Sequence, residues 1–122
     1  MRRWTRAVPW CAVLVVLTVA PAAAHLRVDK TMPEADAVLT DSPHHIKVWF
    51  TQSPDPAISL LTLEGADGAI ELGDTMIHED RSLMAMLPSA LVPGSYTVKW
   101  RTAGNDGHAQ RGDFAFTLRA AD

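Results

Sequence analysis

From residue 26 onward, apolar and polar positions alternate with a period of two. In His45-Ile46-Lys47-Val48-Trp49-Phe50 the apolar side carries Ile46, Val48 and Phe50. Tyr96, Val98 and Trp100 repeat the pattern, and Phe114, Phe116 and Leu118 form a third such face. A period of two is the signature of a strand with one face buried, since successive side chains point to opposite sides of the sheet. Shorter runs at 26–30, 58–63, 69–72 and 83–87 read as further strands.

Turn chemistry separates these runs. Pro33, Ser42-Pro43, Ser53-Pro54-Asp55-Pro56, Gly65-Ala66-Asp67-Gly68 and Pro93-Gly94 fall between them, supplying fixed or positive φ values where the chain must reverse. Little room is left for an amphipathic helix. About seven short strands with turns every 8–15 residues predict an all-β domain, an immunoglobulin-like Greek-key sandwich or barrel.

The first 24 residues follow different rules. Arg2, Arg3 and Arg6 precede an apolar run over 7–20, Pro21 interrupts it, and Ala22-Ala23-Ala24 supplies small residues; together these predict a cleavable secretory signal peptide, with His25 first in the mature chain. The run of about 14 residues is shorter than the roughly 20 that cross a bilayer as a helix. The expected organisation is therefore a leader at 1–24 and one β domain at 25–122.

Cleavage changes the charge balance. The eleven basic residues lose Arg2, Arg3 and Arg6 and become eight against fourteen acidic ones, a net charge near −6 with histidines neutral. That balance disfavours nucleic acid and anionic membrane surfaces as partners and suits a protein that meets cations. The single cysteine, Cys11, belongs to the leader. An exported domain without disulfides must rest on its core alone, and it has no thiolate for a structural zinc site or a blue-copper centre.

Two places carry candidate chemistry. A free N-terminal His25 offers an α-amine and an imidazole on one residue, so two nitrogens can chelate one ion. In the segment 102–112, Asp106 and His108 stand two apart, and in extended chain that spacing turns both side chains to one side. Alone, Asp106-Gly107-His108 is an ordinary polar turn. With His25 it offers three nitrogens and an oxygen, a set that suits Cu(II) in a tetragonal plane.

At these residues the chain resembles the CopC-type periplasmic copper-binding proteins of bacteria. The likeness runs through the signal peptide ending in Ala24-His25, Pro33 and the residues to Ala37, the 45–50 strand, the 91–101 stretch, and Asp106-Gly107-His108 followed by Gly112-Asp113-Phe114-Ala115-Phe116. The resemblance implies a small Greek-key β-barrel holding one Cu(II) per chain through the amine and imidazole of His25 with Asp106 and His108. It further implies a periplasmic protein, not an enzyme, that sequesters copper or works with a CopD-type inner-membrane partner.

One departure matters. Some members carry a second, methionine-rich Cu(I) site, and the corresponding segment here, 51–56, has no methionine; a Cu(II)-only protein is expected, because thioethers are the ligands Cu(I) prefers. Met84 and Met86, near Met76 and His78, read as core or half-buried packing. His44 and His45 point to opposite faces and read as an exposed strand start, while Trp49 and Trp100 read as packing residues. Two other functions fit parts of the sequence: a metal-free immunoglobulin-like interaction domain, and a copper oxidase of the polysaccharide monooxygenase type, which shares the histidine chelate but needs a broad aromatic face.

Overall fold

The computed structural model describes residues 7, 9–17 and 25–121. The expected cleavage point and Arg2, Arg3 and Arg6 lie outside the described residues. Among the described residues there is no helix long and apolar enough to cross a membrane. Residues 9–17, with the exposed Cys11, adopt no helix or strand.

Among the described residues, nine strands form two sheets. They are β1 (Val28–Met32), β2 (Val38–Leu39), β3 (His45–Phe50), β4 (Leu60–Gly65), β5 (Gly68–Ile70), β6 (Met76–His78), β7 (Ser82–Met86), β8 (Gly94–Ala103) and β9 (Ala109–Leu118). One sheet has the order β1-β3-β7-β6, the other β2-β9-β8-β4-β5. Neighbours are antiparallel except β2, which runs parallel to β9. This is the all-β, two-sheet sandwich expected from the alternation.

The inward faces are those the period of two marks. Ile46, Val48 and Phe50 from β3, Tyr96 and Val98 from β8, and Phe114, Phe116 and Leu118 from β9 are buried, joined by Leu61, Leu63, Leu83 and Ala85. Trp100 packs edge-on against Phe50 at a centroid distance of 5.1 Å, and Tyr96 stacks on Phe116 at 5.4 Å. The Tyr96 hydroxyl donates to the Val92 carbonyl, so burying the ring leaves no unsatisfied phenol.

The strand count differs from the expected seven for physical reasons. β2 is two residues long, too short to show a period, and is held by backbone bonds from Thr117 to Ala37 and from Arg119 to Leu39. β6 is exposed at all three positions and carries no apolar alternation. The first strand starts at Val28, after Leu26, because Leu26 is a buried plug at 2% exposure rather than a strand residue. β8 and β9 extend well into the segment expected to be a loop, pairing in register from Gly94↔Leu118 to Ala103↔Ala109.

The methionines also differ from expectation. Met84 is half-buried, but Met76 and Met86 are 42% and 45% exposed. Residues 82, 84 and 86 of β7 face outward with 45, 47 and 49 of β3, as the register Lys47↔Met84 and His45↔Met86 requires, and only Leu83 and Ala85 enter the core. The alternation of small and large apolar residues in this run concealed which face is inner.

Candidate metal centre

With β8 and β9 paired out to Ala103↔Ala109, only residues 104–108 remain as the connection. The Gly107 amide donates to the Gly104 carbonyl at 3.1 Å, closing a turn. Gly107 has φ +73°, a value that glycine reaches without the penalty a Cβ brings. The His108 amide then donates to Asp106 Oδ1 at 3.1 Å. The expected convergence of Asp106 and His108 is present, but its cause is this side-chain-to-backbone turn and not an extended chain.

The N-terminal segment reaches the same turn by a separate route. Arg27 donates to Thr51 Oγ1 at 3.0 Å and accepts from the Thr51 amide at 2.9 Å. Leu26 inserts into the core between the sheets. A Cβ on Gly104 would lie 3.0 Å from Leu26 Cβ and 2.5 Å from Gln52 Oε1, so the N-terminal segment, the segment after β3 and the hairpin turn meet at one end of the sandwich. Gln52 Oε1 accepts the Asn105 amide at 3.1 Å, fastening the turn to that segment.

Three side chains converge there. His25 Nδ1 lies 3.2 Å and His108 Nδ1 3.3 Å from the same oxygen, Asp106 Oδ2. Both imidazoles are open to solvent, with side-chain exposures of 62% and 79%, while Asp106 is the more enclosed at 26%. The His108 amide, followed by the imidazoles of His108 and His25, holds the Asp106 carboxyl below the usual carboxylate range. Nδ1 is the ring nitrogen that can chelate with the α-amine of the same residue, and in His25 it is the one turned to Asp106.

Among the described residues, no three histidine, cysteine or carboxylate side chains stand around an ion-sized gap. At this end the Asp106 oxygen itself occupies the point on which the imidazoles converge. Two imidazoles and one carboxylate form a donor set for a borderline divalent cation.

Other tempting side chains are accounted for differently. Trp49 lies on the outer sheet face between the Lys30 and Lys47 ammoniums, at 4.6 and 4.7 Å from its ring centroid, and donates to Asp80 Oδ2 at 3.0 Å. Tyr96 is buried and Trp100 half-buried, so these rings form no open aromatic platform of the kind a polysaccharide oxidase needs. His45 is half-buried beside Met86, and His44 is exposed before β3.

Gln52 and Leu26 are the positioning residues that sequence reasoning missed. The apolar residue directly after the candidate terminal histidine was a signal for Leu26. Gln52 left none, because its partner lies 53 residues away.

Comparison with known proteins places this arrangement in a context. The family described as the CopC domain matches residues 28–119. Protein YobA of Escherichia coli (strain K12) is 28% identical over 112 residues, covering 88% of this chain and 90% of its own length. Protein YobA of Shigella flexneri matches with the same figures. Among solved structures, CopC from Methylosinus trichosporium OB3b superposes with a TM-score of 0.72 at 28% identity, over 80% of this chain and 97% of its own. PcoC, a methionine-rich copper resistance protein from Escherichia coli, shares the fold with a TM-score of 0.67 at 23% identity, over 79% of this chain and 100% of its own.

Proposed function

The chain belongs to the CopC family, and from that premise we propose that it is an exported copper carrier binding one Cu(II) per chain through the amine and imidazole of His25, the Asp106 carboxylate and the His108 imidazole. Removal of residues 1–24 in the periplasm liberates the amine. The carrier then sequesters copper or hands it to an inner-membrane partner of the CopD type, without catalysing a reaction of its own.

The observation that supports this most is the approach of His25 and His108, from opposite ends of the domain sequence, to one Asp106 oxygen at 3.2 and 3.3 Å. A cation entering this point replaces the two imidazole contacts to Asp106 with metal bonds, so much of the ordering cost is met by folding. Divalent affinity for nitrogen and oxygen donors peaks at copper, which gives selectivity without a further device. Metal sites in small peptides contribute roughly 10–16 kcal/mol, and about 12 kcal/mol corresponds to nanomolar affinity; a chelating site of this kind is expected to be subnanomolar.

Mass spectrometry of the exported protein should find His25 first. Electron paramagnetic resonance of the copper-loaded protein should show a tetragonal, nitrogen-rich centre that changes in His108→Ala. Amines and imidazoles bind a metal ion only after losing their protons, so Cu(II) affinity should fall steeply from about pH 8 to about pH 5. An affinity flat across that range, or an equally tight site in a chain extended by one residue before His25, would remove the terminal amine from the reading.

A further inference from the structure

On the outer face of the five-stranded sheet, β8 and β9 bring Arg101 directly opposite Arg111. Like charges facing each other across a ladder destabilise it, and among the described residues no carboxylate forms an ion pair with either arginine. Glu64 holds Lys99 at 3.1 Å, and Asp113 stands opposite Lys99 in the register. The Arg101 guanidinium gives its Nε–H to the Ile58 carbonyl at 3.3 Å, while the Arg111 guanidinium has no hydrogen bond or ion pair among the described residues. The two arginines and Lys99 line a groove of about 410 Å³ with Asp113 and the exposed side of Leu60.

From this groove we infer a docking site for an acidic segment of the protein that receives the ion, an inference that rests on the copper-carrier reading. Guanidinium forks pair two-pronged with carboxylates, and the exposed Leu60 suits a hydrophobic residue next to the acidic one. Residues 25–122 as a whole are strongly acidic, with fourteen acidic residues against eight basic, which repels an anionic lipid surface and leaves a local cationic groove for a local anionic segment. The arginine pair sits two rungs behind Ala103↔Ala109, roughly 7 Å along the strands from the base of the Asp106 turn. A segment seated in the groove therefore brings its protein within reach of the cargo.

The test uses the exported, copper-loaded chain and a fluorescein-labelled peptide of alternating glutamate and leucine, read by fluorescence anisotropy. Binding is expected for this peptide and not for its glutamine-leucine counterpart, weakening with salt. It should fall by about tenfold or more in Arg111→Glu and in Arg101→Gln/Arg111→Gln, as loss of a charged hydrogen bond implies. Cu(II) affinity by chelator competition should stay unchanged in the same variants, which separates failure of the docking site from failure of the copper site. Equal peptide binding by wild type and both variants overturns the inference. So does arginine-dependent binding to phosphatidylglycerol vesicles in place of the peptide, or an arginine-dependent dimer by sedimentation, since each assigns the groove to a different occupant.

Discussion

Gln52 contributes no atom to the cluster of His25, Asp106 and His108, yet it holds the backbone that carries two of them, through the bond from the Asn105 amide. Gln52→Ala is expected to leave the fold intact and to weaken Cu(II) roughly tenfold, the lower end of what loss of a supporting partner costs a metal site, checked by chelator competition. Asp80 gives a second residue-scale expectation. Ser82, then the Lys47 ammonium at 3.0 Å and the Trp49 indole, hold its carboxyl below the usual range. Because the folded-state value is the lower one, this contribution is complete above the unfolded carboxyl's pKa near 4 and drains away as the pH falls further. Denaturation followed from about pH 5 to about pH 2 should show a steeper loss of stability in the wild type than in Asp80→Asn. The His25, Asp106 and His108 set was legible because residue type and chain position suggested it. Gln52 and Asp80 were not, since a lone polar residue acquires its role only from what folding brings beside it.

Among the elements, the β8–β9 hairpin positions the most chemistry, and its weak point is Gly112. A Cβ there would fall 2.3–2.9 Å from atoms of the Trp100 indole, and Trp100 is already fixed against Phe50. Gly112→Ala should destabilise the protein by about 1–3 kcal/mol, the range for forced overpacking, seen as a fall in Tm of several degrees. Long strands with one buried face were readable from alternation, as in β3, β8 and β9. Where the period fails, so did the reading: β6 buries nothing, β2 is too short, and β7 alternates apolar with apolar, so that Met84 and Met86 gave no sign of facing outward. The expected loop at 102–112 was overlong because Ala109 and Gln110 resemble turn residues, and only pairing with Ala103 and Thr102 makes them strand.

At the scale of the molecule, the sandwich binds residues 25–27 to the turn of the β8–β9 hairpin, with Leu26 in the core and Arg27 tied to Thr51. Leu26→Ala should therefore cost more than a surface truncation, about 2–5 kcal/mol as for other buried leucines, and should also loosen Cu(II) binding; denaturant melts and copper competition on the same sample separate the two effects. The class of fold was legible from the pattern as a whole, whereas the meeting of three distant segments at one end depends on sheet order. β9 then leads away from that end: from Ala109 to Leu118 it advances roughly 30 Å at 3.3 Å per residue. An affinity handle or surface tether placed beyond β9 should accordingly stand remote from the pole where His25, Asp106 and His108 meet, while on the proposed copper reading even a small scar ahead of His25 would block the amine.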